Sequence, residues 1–386
     1  MNLNHNRQNI FTIYAHTVLR CAYSRQALSD SDRQFIVSGY SHHAKRELLE
    51  ISKKRKYFPV IAKLFISLEL DVQFWFEKLE FYRQRNENII RLMDQLFRKF
   101  GELDVKKVFL YENFGAFLLN TTDLELSSSG DFDLFATIPD RDKIADTLES
   151  LGFIHNSPTE NSNALRDTYV GSVAGTPFKV NINYTLFVRY IFPIRLDFSR
   201  VIEWGKLERH ADTEIVIPSK EVLLYLNLLR ASSCYYVHMP DYRLYIDMYN
   251  CLQSKPDLSR VAMWAKEDGN LIRVAAVLEV CNRVFLMGWD TQSVSSEINN
   301  SGILSKRLYT LVDLIIDRKT NLLRLYPRFW RTYKIEALSN NRNMLSQALA
   351  LIFPNKIWLV ETYGAGRNVF SAYACYILRL LCSKRM

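Results

Sequence analysis

Two carboxylates two residues apart carry the sharpest chemical signal in this chain. They are Asp131 and Asp133, in the stretch Ser127-Ser128-Ser129-Gly130-Asp131-Phe132-Asp133-Leu134-Phe135. On a β-strand, residues i and i+2 point to the same face. The carboxylate oxygens then converge at one edge of a sheet, the environment a hard cation such as Mg²⁺ or Mn²⁺ takes. Phe132, Leu134 and Phe135 are suited to burying that strand and holding the carboxylates rigid. Ser129 and Gly130 make the preceding backbone compact enough for a phosphate to approach its N–H groups. A D-x-D pair alone also fits an exposed strand edge, so its neighbours decide how much it means.

Those neighbours alternate between strand and helix. Val108 to Tyr111 is a short apolar run suited to a buried strand. Asn113 to Leu119 then reads as one or two helical turns, with Phe114-Gly115-Ala116 at the strand-to-helix turn. A glycine there leaves room for a phosphate at a helix N-terminus. Phe132 to Ile138 is the second strand. Pro139-Asp140 opens a helix with an apolar face of Ile144, Leu148 and Leu151, for which Asp140 is a plausible N-cap and Gly152 the stop. The third strand alternates, Phe178, Val180, Ile182 and Tyr184 on one side and Lys179, Asn181, Asn183 and Thr185 on the other. The reading is α+β: a small mixed-sheet core over 104–217, N-terminal helices over 1–103, and a helical C-terminal domain over 218–386. In the first part Ile89, Leu92, Leu96 and Phe100 fall at helical spacing, and the aromatics just before them read as core. In the last part helices are expected from Pro218-Ser219 (apolar face Val222, Leu223, Leu226 and Leu229), over Tyr242–Cys251, Pro256–Lys266, Leu271–Phe285 and Leu308–Ile316, and over Phe370–Leu381.

This order of elements is the minimal core of the DNA polymerase β-like nucleotidyltransferases. The chain resembles an uncharacterised nucleotidyltransferase family of bacterial biosynthetic and natural-product genes. In that family a Gly-Ala turn precedes a Gly-Asp-x-Asp-Leu strand, as Gly115-Ala116 and Gly130 to Leu134 do here. A helix ending Leu-Gly-Phe follows, matched by Leu151-Gly152-Phe153. Arg243 to Asp247 resembles the family's Arg-x-x-x-Asp helix, and Phe353-Pro354 with Tyr373 to Leu381 its terminal turn and helix. The resemblance spans roughly residues 60–386.

The resemblance implies a metal-dependent transfer of NMP from an NTP such as ATP to a small-molecule or peptide acceptor, in natural-product or envelope biosynthesis. It implies Asp131 and Asp133 as ligands of Mg²⁺ or Mn²⁺, with Asn181 at the position of the third catalytic acid. Gly115, Ser129, Gly130, Lys179 and Arg243 are the implied nucleotide contacts. The chain departs from the pattern at four places. Phe114 stands where the family has Lys, Ser127 where it has Arg, Asn181 where it has an acid, and Asn183 where it has His. Two-metal transfer uses three carboxylates, and a neutral Asn weakens the second ion. Arg166, Asp167 and Lys179 are the nearby charges that could compensate. The alternative is a catalytically reduced relative acting as a nucleotide- or partner-binding accessory subunit.

Composition narrows the remaining classes. The chain has 386 residues, 48% hydrophobic and 24% charged, the balance of a folded domain rather than a disordered one. No run reaches the ~18–20 apolar residues of a membrane span, and the first residues lack a signal peptide's apolar core, so a cytoplasmic protein is expected. The six cysteines form no C-x-x-C pair and read as buried thiols. Net charge is +9 but uneven. Residues 1–60 carry 10 Lys/Arg against 4 Asp/Glu, and residues 301–386 carry 14 against 4. These basic ends keep a nucleic-acid partner, such as a tRNA acceptor, as a further reading. Lys53 to Lys56, the densest basic run, reads as a solvated loop. Arg243 with Asp247 also fits an intrahelical ion pair. His238 stands alone, and Gly364-Ala365-Gly366 lacks the strand–helix context of a dinucleotide fingerprint.

Overall fold

The computed structural model describes residues 14–15, 17–22, 27–55, 58–105, 107–119, 124–125, 131–156, 166–173, 175–184, 196, 198–204, 207–233, 247–248, 251, 254–285, 294, 296, 302–316, 359 and 368–382. Four helices come first: α1 (Asp30–Gly39), α2 (His42–Arg55), α3 (Phe58–Ser67) and the long α4 (Val72–Glu102). Ser29 caps α1 by accepting the Asp32 N–H. Lys53, Lys54 and Arg55 lie in the last turn of α2, not in a loop as expected, because the helical pattern beginning at His42 continues through them. The aromatics expected in this region belong to α4 and divide by face. Trp75 is buried against Phe58 and Phe65, while Phe76 and Phe81 are exposed.

Among the described residues, β1 (Phe109–Tyr111), β2 (Asp131–Phe135), β3 (Ile154–His155), β4 (Arg166–Val173) and β5 (Thr176–Asn183) form one sheet in the order β1-β2-β5-β4-β3. Only the central pair, β2 with β5, is parallel. Short helices and turns link the strands: α5 (Glu112–Leu118) after β1, then a 3₁₀ turn (Ile138–Asp140) and α6 (Arg141–Ser150) after β2. Asp140 occupies the N-cap position without a side-chain cap bond; its carboxylate instead accepts from Thr137 Oγ1 at 2.8 Å. The other end follows the glycine rule. Gly152 takes φ +82°, its N–H reaches Glu149 O, and the Phe153 N–H reaches Leu148 O at 3.0 Å, which is a Schellman closure.

The register divides the sheet into two faces. Phe132, Leu134, Phe178, Val180, Ile182 and Tyr169 share the apolar face and are buried. The other face carries Asp131, Asp133, Lys179, Asn181, Asn183, Arg166 and Thr168. Strands β3 and β4 escape a reading by periodicity. β3 is two residues long, and β4 (Arg166-Asp167-Thr168-Tyr169-Val170-Gly171-Ser172-Val173) mixes polar and apolar residues on both faces.

After the sheet come α7 (Phe198–Trp204), the two-stranded β6 (Glu208–Arg209) and β7 (Val216–Ile217), α8 (Lys220–Ser233), α9 (Leu258–Glu267), α10 (Leu271–Phe285), α11 (Gly302–Ile316) and α12 (Val369–Cys382). The four residues expected to form the apolar face of α8 are buried, and so are Leu224, Tyr225 and Leu228, so this helix is enclosed on all sides. Asp257 caps α9 through the Ser259 and Arg260 N–H groups. The changes of element type fall close to residues 103 and 217, yet one buried apolar cluster runs from Tyr14 through Val312. Among the described residues Cys21, Cys251 and Cys281 are buried free thiols and Cys375 is partly exposed. No described helix is long and apolar enough to cross a membrane.

The glycine of β4 is a packing requirement. A Cβ at Gly171 would lie 2.7 Å from Phe153 Cδ1 and 2.8 Å from Cε1, and the Phe153 ring is buried. Gly171→Ala is expected to destabilise the fold by about 1–3 kcal/mol, read as a lower urea midpoint. The Phe153→Ala and Gly171→Ala double variant should lose less than the sum of the singles; strict additivity would show that this contact is not the cause.

Candidate active site

The parallel pairing of β2 and β5 sets the geometry of the candidate site. Asp131 is the Cα partner of Lys179, and Asp133 the partner of Asn181. The residue expected at the third-acid position therefore stands directly beside the second carboxylate, on the same face. Asp131 is partly exposed at the start of β2, whereas Asp133 and Asn181 are buried. Tyr111 of β1 flanks Asp133 from the other side.

Nitrogen donors, rather than further oxygens, surround the inner carboxylate. Asn183 Nδ2 faces Asp133 Oδ1 at 3.4 Å. Arg166 Nη2 lies 3.6 Å from the same oxygen, an ion pair beyond hydrogen-bond length. Asn181 Oδ1 accepts from Thr168 Oγ1 at 3.1 Å, so its acceptor is engaged within the sheet. Arg85 of α4 reaches the other end of the site. Burial lowers its guanidinium pKa below the usual range, and the Asp131 charge acts in the opposite direction.

The fit to a two-ion centre follows from these contacts. Such a centre holds two divalent ions through converging carboxylate oxygens and the substrate's phosphates. Here the third position is a neutral amide, two carboxylates face Lys179 and Arg166 on the same side of the sheet, and amide and guanidinium groups crowd Asp133. Among the described residues no group of three or more His, Cys, Asp or Glu side chains is placed to hold a metal. These residues do not fit a two-ion Mg²⁺ or Mn²⁺ centre.

The remaining candidates separate. Gly115 lies in the middle of α5, not at the turn, and a Cβ there would meet Leu223 Cδ2 at 3.0 Å and Leu110 O at 3.2 Å. Its missing side chain admits α8 and the β1 backbone, so the expected open approach for a phosphate is filled by packing. Ser129, Gly130 and Arg243 lie outside the described residues, as do His238, Phe353-Pro354 and Gly364 to Gly366. Asp247 is buried with Arg230 Nη1 of α8 at 3.8 Å.

Asp167 follows Arg166 on β4 and therefore points to the opposite face, where it cannot stand in for the third acid. It is the hub of a network that sequence reasoning missed. Arg141, the first residue of α6, grips both carboxylate oxygens at 2.8 Å. Tyr184 donates its hydroxyl at 2.8 Å, and His155 Nε2 lies at 3.3 Å. Burial would raise the Asp167 pKa, but the Arg141 and Tyr184 bonds outweigh it and hold the carboxyl below its ordinary value. Burial together with the Asp167 charge drives the Tyr184 phenol well above its normal range. An Arg at a helix start followed 26 residues later by an acid on a strand gives no periodic signal.

Compared with protein-family models, with curated proteins and with solved structures, the chain matches none.

The Asp167 network predicts an acid-sensitive fold. A carboxylate with a lowered folded-state pKa contributes stability above its unfolded pKa, and that contribution fades as pH falls through the folded value. Asp167→Asn is expected to cost about 3–5 kcal/mol near neutrality, because Arg141 is left without its bidentate partner. Its stability should also fall less than wild type's between neutrality and acid. Parallel acid limbs in pH-dependent chemical denaturation would contradict this role.

Proposed function

We propose that this chain is a catalytically reduced nucleotidyltransferase-like protein, which binds a nucleoside triphosphate at the Asp131–Asp133 edge and serves as a nucleotide-binding accessory subunit. One observation carries the reading: Asn181, which the resemblance puts at the position of the third acid, is paired with Asp133 in parallel register. The order of elements supports the relation to that superfamily. A β1–α5 unit leads into the D-x-D strand, α6 follows, and the strand carrying the third position pairs in parallel with the first. The Asn181 amide and the two N–H groups near Asp133 support loss of the transfer step. They remove a negative charge and add donors where transfer requires acceptors.

A second reading has its own observation. Asp131 and Asp133 are retained on one face of one strand, and Asp131 is partly exposed. Those features favour an active enzyme that moves NMP from an NTP to a small-molecule or peptide acceptor.

A thermal-shift panel with ATP, GTP, CTP and UTP, run beside a pyrophosphate-release assay, separates the two. Under the first reading at least one nucleotide stabilises wild type, by ~2.7 kcal/mol at a hundred times its Kd. Wild type releases no pyrophosphate. Asn181→Asp then recovers a measurable transfer rate. Robust pyrophosphate release by wild type would establish the second reading instead.

A further inference from the structure

Arg166 stands on the polar face of β4, opposite Asn183 of β5. Its Nη2 is 3.6 Å from Asp133 Oδ1, close enough for charge attraction but too far to commit that donor to a hydrogen bond. Its Nε is buried with no hydrogen-bond acceptor among the described residues. The side chain is 28% exposed, so part of it reaches the surface of the polar face. Around it, Asn181 has its oxygen occupied by Thr168, which leaves the amide to donate. Asn183 directs its amide toward the same carboxylate, and Lys179 is exposed beside Asp131.

A cation-binding centre offers oxygens; this face offers N–H groups. A ligand matching several converging N–H groups is an anion with several oxygens. A guanidinium fork matches phosphate in particular, through two parallel bonds. The paired carboxylate holds the fork in place and balances part of its charge until the ligand arrives.

We propose that Arg166 is a phosphate-binding residue that takes over the charge-neutralising role of the divalent ions, so that the triphosphate group of a nucleotide is recognised without metal. This inference rests on the nucleotide-binding reading above and adds what holds the phosphates. Asp133 acts as a positioning residue, keeping the guanidinium over the sheet. No covalent step is involved.

The test is calorimetric titration of full-length protein with ATP, in EDTA and in Mg²⁺. Wild type should bind ATP in EDTA with a Kd within about threefold of its value in Mg²⁺, a change of less than ~0.7 kcal/mol. Arg166→Gln should weaken binding in EDTA by about tenfold or more, the scale of charge-assisted hydrogen bonds. Arg166→Lys keeps the charge but lacks the fork, and should show a smaller loss, which serves if the Gln variant fails to fold. Inorganic tripolyphosphate should displace ATP, and adenosine should not. Binding that requires Mg²⁺ and is equal in Arg166→Gln overturns the role of Arg166 while nucleotide binding stands. Displacement by adenosine but not tripolyphosphate overturns phosphate recognition. Absence of ATP binding in both buffers, with protein that melts cooperatively, removes the nucleotide-binding reading and this inference together.

Discussion

Parallel strands cannot be joined by a tight turn, and β2 reaches β5 only through α6, β3 and β4. That crossover brings Asp133 and Asn181 side by side from 48 residues apart in sequence. It also fixes which residues share a face, because a one-residue slip in register would exchange every side chain between the two sides. Burial of Phe132, Leu134, Val180 and Ile182 makes such a slip costly. The polar face is therefore as firmly specified as the apolar core behind it. The same crossover starts α6 at Arg141 and returns β4 with Asp167, so the chain that delivers β5 also delivers the ion pair locking α6 to the sheet.

The two buried acids near the sheet centre are satisfied differently, and the difference separates structure from site. Asp167 has a bidentate arginine, a tyrosine hydroxyl and a histidine within hydrogen-bond range. Each oxygen has more than one neighbour, which is the condition under which a buried charge is tolerated. Asp133 has an amide at 3.4 Å and a guanidinium at 3.6 Å. These long contacts neutralise its charge without closing its surroundings. A fold stabilised by the first arrangement can carry the second, because α6 and β4 are already anchored.

Much of this was legible in the sequence where periodicity is strong. The strand expected over Phe132–Ile138 is found over Asp131–Phe135, with Ile138 in the following 3₁₀ turn; the alternation of β5 and the helices α6, α8, α9, α10 and α12 follow from apolar spacing and from stop residues such as Gly152. β3 and β4 did not emerge, because two residues carry no period and β4 has Asp167 on its inner face and Val170 on its outer one. Asp167 is inside only because Arg141 and Tyr184 meet it there, a tertiary fact. For the candidate site, Asp131, Asp133 and Asn181 could be picked out from residue order, and the register brings Asp133 beside Asn181. The proximity of Arg166 and Arg85 could not, since each reaches the carboxylates from an element whose place depends on the sheet. Gly115 carried a misleading signal: the same missing side chain that suggests space for a ligand is here filled by Leu223.

Replacing an acid by its amide at one position changes charge, and doing so among other donors changes the kind of ligand the surface suits. Asn181 alone would leave a weakened cation site, with two acids and one neutral oxygen. In this sheet, however, the Asn181 oxygen is turned to Thr168, the neighbouring Asn183 is also an amide, and a guanidinium stands over the remaining buried acid. The Asn183 amide and the Arg166 guanidinium both present N–H donors to Asp133. A cation approaching Asp133 would have to displace Arg166 and then sit beside its charge, a repulsion that grows in low-dielectric surroundings. An anion would meet the guanidinium and amide donors here, beside the Asp131 and Asp133 carboxylates. The polar face thus sets a partly exposed guanidinium and an amide against a buried carboxylate, and Asp133 is the counter-charge that keeps Arg166 in position.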